Sequence, residues 1–360
     1  MTTAHPSAPA PARREAVVTG VGLAVPGLTL PDELLGTVRE GGFDPRTGLV
    51  GRDLRHKDRA SRLALRSATP ALRDAGLLGD DGFTGHGDST AVVVSSNFGI
   101  LDSVCSFADI IARDTVLGLS PLGLPQTSSN VIAGSVAMAH KLRGPSVTLC
   151  NGPTSGLDAL YWARALIVAG RAETALVIGV EPDGDAVAKL LGGAAVDGAV
   201  ALVIESASRA AERGARVRAV LAGCARGDSL TEAVTTARSG GPGRTPADEA
   251  RPGPAVDLWL TDRPVPEEAA GGPERDSADT AGGAESAPDD TAVPPRVRAG
   301  AVLDPTASLG LCSGALGLLQ AAAAVAHFDE HPGHTALATC GGPEDDAVAA
   351  VFLHGPCRTA

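Results

Sequence analysis

Aromatic side chains are scarce in this 360-residue chain: two Trp, one Tyr and six Phe make up 2% of it, and methionine occurs twice. A core without large rings has to be packed from small aliphatic side chains on closely spaced elements. The 44% hydrophobic content, mostly Ala, Val and Leu, is enough to fill such a core in a chain of this length. Clustered positive charge is also lacking. With 30 Lys and Arg against 42 Asp and Glu, a formal charge of -12 and a pI near 5.1, the phosphate-neutralising surface of a nucleic-acid binder is excluded. One local basic concentration, Arg52, Arg55, Lys57, Arg59 and Arg62, is a candidate docking patch for an acidic protein, and its plain reading is a solvated helix face.

Metal-ligand spacing is missing as well. The six cysteines, Cys105, Cys150, Cys224, Cys312, Cys340 and Cys357, are scattered, with no CxxC pair and no histidine at ligand spacing. Neither a zinc site nor a disulfide framework is expected, no cofactor is implied, and a reduced, cytoplasmic setting follows. No stretch approaches the ~20 uninterrupted apolar residues of a membrane span, so no membrane partner is expected. The opening MTTAHPSAPAPARRE is rich in Pro and Ala and has no apolar centre, so residues 1–14 read as a flexible tail, and 356–360 as a short one.

What the chain does have is an alternation of β-branched runs with Ala-rich helical stretches, the pattern of parallel strands joined by crossover helices in an α/β fold. Strands are expected at Ala16–Gly27, which runs into a glycine turn, then at Thr90–Ser96, Ser146–Asn151, Thr174–Glu181 and Asp197–Ser206. Helical spacing covers Arg59 to Ala75, with Pro70 expected to break the helix or start a second one, and Gly156–Gly170. A first half of 15–223, ending with Ala215–Gly223, is followed by a weaker-patterned second half of 224–355, with segments at Val256–Asp262, Gly314–Phe328 and Ala347–Gly355. Residues 264–295, rich in Pro, Gly, Asp, Glu, Ser and Ala, cannot repay their ordering entropy and are expected to form a disordered acidic loop.

Four stretches in order carry a resemblance. They are VVTGVG in the first strand, SPLGLPQTSSNVIAGSVA at Ser120–Ala137, RGPSVTL running into TSGLDAL at Arg143–Leu160, and VDGAVALVIESASRAAERGARVRAVLAG at Val196–Gly223. Together they resemble the β-ketoacyl synthases, the condensing enzymes of fatty acid and polyketide synthesis. The resemblance implies a thiolase-like fold of duplicated βαβαβ halves in five layers. It also implies a dimer paired across the strand before the nucleophile, here Ser146, Val147, Thr148, Leu149 and Cys150.

A condensing enzyme of this family places a cysteine at the start of a buried helix, where the helix dipole and backbone N–H groups favour thiolate and oxyanion. Here Gly144-Pro145 and Thr154-Ser155-Gly156 match the family motif without a gap, and that register puts Pro153 on the nucleophile. Proline has neither a thiol to acylate nor an N–H to donate, although it suits a first helical turn, which Asn151 is expected to cap. The first catalytic His maps to Asp262 in VDLWLTDRP, with Arg263 and Pro264 in place of Gly-Thr. In TASLGLCSGALG the second His maps to Leu311 and the supporting Lys to Thr306, with Gly310, Gly314 and Gly317 retained. TCGGPEDD puts Cys340 at the gatekeeping Phe of the late glycine-rich loop, keeping Gly341 and Gly342. Cys150 and Cys312 are candidate replacement thiols, but buried cysteine is ordinarily an inert small hydrophobe.

The scaffold motifs are kept while every mapped catalytic position is altered. The resemblance is therefore to a degenerate member such as a chain length factor, the silent partner of an active ketosynthase, with that ketosynthase and an acyl carrier protein as partners. In such a subunit the segment from Val104 to Thr115 and the turn from Ser128 to Gly134 approach the partner's cavity. This makes Phe107, Ile110, Ile111, Val116, Asn130 and Cys340 tunnel candidates; for the helical ones the plain alternative is ordinary core packing of an amphipathic helix. Two other readings stay open: an enzyme recruiting Cys150, Cys312 or Asp262 for acyl transfer or cyclisation, and a homodimeric scaffold.

Overall fold

The computed structural model describes residues 15–36, 41–239, 256–263, 299–345 and 347–356. The expected N-terminal tail, the acidic loop, Cys357 and all of the C-terminal tail but Pro356 lie outside them.

Ten strands form one continuous sheet made of two copies of one pattern. The first unit contains β1 (Ala16–Ala24), β2 (Thr90–Ser95), β3 (Ser146–Leu149), β4 (Thr174–Glu181) and β5 (Gly198–Ser206). The second contains β6 (Ala219–Gly227), β7 (Val256–Thr261), β8 (Ala299–Leu303), β9 (Thr335–Gly342) and β10 (Ala347–His354). In each, the opening strand pairs antiparallel with the closing one, the closing strand pairs antiparallel with the fourth, and the fourth, second and third run parallel. The two units join where β1 meets β6 at Val17–Val220 and Val18–Ala219. Strand β6 spans the expected division at residue 223 and pairs along most of its length with β10.

The helices that position the site are α1 (Arg59–Asp74), α2 (Leu101–Asp114), α3 (Val131–His140), α4 (Ser155–Val168), α5 (Leu230–Arg238) and α6 (Leu316–Glu330). Strand side chains alternate between layers, as a period of two requires. In the first unit Val93, Val177 and Leu202 face a central core shared with α4 and α6, while Val92, Val94, Leu176, Ile178 and Val203 face α1 and α3. In the second unit Leu258, Leu260, Ala336 and Ala338 face that same central core, while Trp259, Leu337 and Phe352 face α5. The result is five layers, α, β, α, β, α. Each fully buried Val or Leu contributes about 1.5–3 kcal/mol of transfer free energy, offset by the ordering of the chain.

Glycine allows two of these layers to close. A Cβ on Gly22 would lie 2.3 Å from the Ser67 carbonyl oxygen of α1, so the glycines of VVTGVG let that helix rest on β1. In the middle layer a Cβ on Gly317 would lie 2.4 Å from the Leu157 nitrogen, and one on Gly156 would lie 2.7 Å from the Gly317 nitrogen. The first turns of α4 and α6 therefore cross backbone to backbone.

The structure corrects the break expected at Pro70, because α1 runs through it unbroken. An interior proline costs about 3 kcal/mol, and the apolar face of α1 packed on β1, β4 and β5 outweighs that local preference.

Candidate functional site

In both units the third strand, at an edge of the sheet, leads toward a central helix, and the site forms between the two helix starts. A single turn, Gly152–Thr154, precedes α4, and its counterpart Ser313–Ala315 precedes α6. Between the two turns lies a cavity of about 640 Å³ lined by residues from both units. Pro153, Asp262, Thr306 and Leu311, separated by up to 158 positions in sequence, all contribute to its wall, as do Cys150 and Cys312. No histidine is among the described residues that line it.

Each of these side chains has a definite neighbourhood. Pro153 sits within the first turn, where its missing N–H costs nothing. Asn151 does not cap α4 with its side chain as expected. Its backbone N–H donates to Ser155 Oγ at 2.6 Å, and its amide donates to Asp158 Oδ2 at 3.0 Å. Asp158, also bonded by Thr154 and Arg226, takes the role of anchoring that turn. Thr306 is turned back on Asp304, its N–H and its hydroxyl donating to Oδ1 at 2.8 and 2.7 Å. Leu311 is half-exposed in the wall, its carbonyl accepting from the Val196 N–H at 3.0 Å. Asp262 Oδ1 is buried without a hydrogen-bond partner among the described residues, and burial pushes this carboxyl up, toward its protonated form.

Neither wall thiol is activated. Cys150 donates to the Asn97 carbonyl at 3.6 Å, and burial together with the nearby Glu181 charge raises its pKa. Cys312 donates to the Gly310 carbonyl at 3.3 Å and is pushed up to about 12, chiefly by burial. Both stay protonated at neutral pH, the opposite of what a thiolate nucleophile requires.

Two residues that the sequence reading missed organise the site. Asn97 follows β2, and its amide nitrogen donates to the Gly152 carbonyl and to Ser313 Oγ, each at 2.8 Å. Its amide oxygen accepts from the Gly152 N–H and from Ser155 Oγ, so one side chain ties both helix-start turns together. Glu181 closes β4 and is fully buried, accepting the backbone N–H groups of Asn97, Phe98 and Gly314 at 2.6, 3.1 and 3.0 Å. Desolvation outweighs those donors and raises its pKa to about 7. The signals were present: TALVIGVE ends an apolar run on a carboxylate, and Asn97 lies just past the carboxyl end of a parallel strand, where ligand sites collect.

The tunnel candidates lie elsewhere. Phe107 and Ile110 are half-buried on α2 against the segment that follows it, while Ile111, Val116 and Asn130 are exposed, and none of them lines the cavity. Core packing does not describe this helix either, because α2 contains no buried residue. Cys340 lies in β9, fully enclosed, with its thiol on Gln320 Oε1 at 3.2 Å, and does not line the cavity. Strand β3 forms one edge of the sheet, paired with β2 on one side only among the described residues. In the basic patch Arg52, Arg55 and Arg59 are exposed, and Arg59 is engaged by Asp197. The described residues contain no group of three or more His, Cys, Asp or Glu able to hold a metal ion and no helix long and apolar enough to cross a membrane.

Comparison with known proteins agrees with this fold. Residues 27–195 match the family model for the Beta-ketoacyl synthase, N-terminal domain. The 3-oxoacyl-(acyl-carrier-protein) synthase 2 of Vibrio cholerae is 26% identical over 140 residues, which are 39% of this chain and 33% of that protein. The match thus spans about a third of the length of such curated relatives. Among solved structures, a type II PKS acyl-carrier protein in complex with its ketosynthase bound to the hexaketide superposes with a TM-score of 0.70 at 16% identity, covering 96% of this chain and 100% of that one. The ishigamide ketosynthase/chain length factor gives a TM-score of 0.67 at 22% identity, covering 95% and 99%.

Proposed function

We propose that this chain, whose residues 27–195 belong to the β-ketoacyl synthase N-terminal domain family and whose fold is the thiolase-like fold of the ketosynthases, is a non-condensing subunit. It pairs with an active ketosynthase and shapes the chain tunnel in type II polyketide or related biosynthesis, served by an acyl carrier protein. The observation that carries this reading is convergence: Pro153, Asp262, Thr306 and Leu311 meet at one cavity that no imidazole lines among the described residues. Condensation needs a sulfur nucleophile and donors that stabilise the enolate left by decarboxylation. A proline, an unpartnered carboxyl, a threonine held by Asp304 and a leucine supply neither.

The pairing surface is supported by two features that both pack against α3. Strand β3 offers an open edge, and the segment from α2 to residue 127 exposes Val104, Ile111, Val116, Leu117, Leu122 and Leu124. Open strand edges and clustered exposed apolar side chains are what a stable partner covers. The pairing of a ketosynthase with a chain length factor in a solved structure of the same fold supports an active ketosynthase as the kind of partner this surface would meet. Co-expression with a companion ketosynthase followed by size exclusion tests the reading. A 1:1 complex is expected, with poor solubility or weak self-association of the chain alone. A stable homodimer with no affinity for an active ketosynthase would favour the homodimeric scaffold and sink the proposal.

A further inference from the structure

We infer that Ser313 is a nucleophilic hydroxyl that accepts acyl groups from thioesters entering the cavity, with Glu181 as the base that takes its proton. This goes beyond the subunit role and does not rest on the pairing, since every group it invokes belongs to this chain.

Three observations converge on Ser313. First, it lines the cavity and is half-exposed to it, at the N-terminal turn of the central helix α6. Second, its hydroxyl is oriented: Asn97 donates to Oγ at 2.8 Å, and the Glu181 carboxylate, which accepts the N–H of the next residue, Gly314, at 3.0 Å, lies beside it and is shifted by it. A hydroxyl that accepts from an amide and keeps its proton for a neighbouring carboxylate can be activated as a nucleophile. Third, its backbone is in the left-handed region, with φ +42°, where serine costs about 1 kcal/mol over glycine. The equivalent turn of the first unit has glycine there, Gly152 at φ +73°. The second unit thus keeps a hydroxyl where the duplicated backbone favours glycine, and strain of this kind clusters at functional sites.

The surrounding chemistry suits an oxygen nucleophile better than a sulfur one. Both wall thiols are held protonated, as described above, whereas the base beside Ser313 titrates near neutrality. Asp262, on the same wall, has an unpartnered oxygen, and burial pushes its carboxyl above the usual range.

In the first step Ser313 Oγ attacks the thioester carbonyl carbon while Glu181 takes the hydroxyl proton. The carbon–sulfur bond then breaks, the sulfur leaves as a thiol carrying that proton, and Ser313 holds an acyl ester. In the second step water attacks the ester carbonyl and gives a proton to Glu181. The ester carbon–oxygen bond breaks, Ser313 Oγ recovers the proton, and a carboxylic acid is released. No oxidant, reductant or metal enters the balance.

The test uses the full-length chain with a fluorophosphonate probe and with butyryl-N-acetylcysteamine as a simple thioester. Peptide mass spectrometry is expected to place the phosphonyl adduct on Ser313. Thioester hydrolysis is expected to rise with pH through about 7, as Glu181 ionises. Ser313→Gly, which suits the left-handed backbone and therefore leaves the melting temperature equal or higher, is expected to lose labelling and about 100-fold in hydrolysis rate. Glu181→Gln is expected to keep the fold and flatten the pH profile. Absence of an adduct on Ser313 beyond that of heat-denatured protein, or wild-type hydrolysis by the Ser313→Gly variant, overturns the inference and leaves the proposed subunit role untouched.

Discussion

Glu181 is buried, with three backbone N–H groups and the Ser96 hydroxyl among its hydrogen-bond donors and no cation among the groups that shift its titration. Removing a carboxylate from water costs more than those amides return, so its pKa rises from 4.5 to about 7. For an acid with a raised folded pKa, stability is fully present below the unfolded value and is lost as pH climbs through the folded one. A gap of that size corresponds to about 3 kcal/mol. Wild type should therefore lose about that much stability between pH 4.5 and 7 relative to Glu181→Gln, as measured by urea denaturation across that range. Parallel stability curves for the two proteins would show that the carboxyl is not desolvated as described. At this scale the sequence was legible where residue type decides chemistry: a proline at 153 has no sulfur and no N–H in any fold. It was silent on Asn97, Glu181 and Ser313, because an amide, a carboxylate and a hydroxyl acquire their roles only through their neighbours.

Between elements, the closest contacts are between backbones, and glycine permits them. The crossing of α4 and α6 at Gly156 and Gly317 leaves no room for a methyl group, whereas a Cβ on Gly134 in α3 would meet nothing within 4 Å. Gly317→Ala is expected to destabilise by about 2 kcal/mol or more through overpacking. Gly134→Ala is expected to stabilise by up to about 1 kcal/mol through helix propensity. Chemical denaturation of the pair checks both signs; a neutral Gly317→Ala would show that the two helices do not cross this closely. Most elements followed from periodicity: Thr174–Glu181 matches its strand at both ends, and Ala16, Thr90, Ser146 and Val256 open strands where expected. Strands β8 and β9 were missed. The first is a short run, AGAVL, and the second, TALATCGG, is rich in Ala, Thr and Gly, whose strand character comes from pairing with neighbours rather than from intrinsic preference. Reading TCGG as part of a loop misses that β9 pairs on both sides and buries the Cys340 thiol in the central core.

Across the whole molecule, the duplication leaves β3 and β8 at opposite edges of the sheet, and β3 packs on the same helix, α3, as the exposed apolar segment. The carbonyls of Pro145 and Leu149 accept from β2, so in a parallel ladder the backbone groups of Thr148 point away from it. Thr148→Pro therefore removes an outward N–H without breaking the ladder to β2. If the edge is where a second subunit adds, this variant should remain folded by circular dichroism and lose complex formation on size exclusion. Undiminished association would place the interface elsewhere.

The order of amino acids alone determined that this is an α/β chain of alternating strands and helices with a small-aliphatic core, that it is acidic, and that no cysteine stands at the mapped nucleophile position. Those properties follow from side-chain size, charge and period, which are local. The tertiary structure alone decided that Pro153, Asp262, Thr306 and Leu311 share one wall, that Asn97 bridges the two units, and that a serine, a carboxylate and an amide meet beneath the cavity. Burial and long-range contact fix those relations, and both are set by how two similar half-sheets pack against the helices between them.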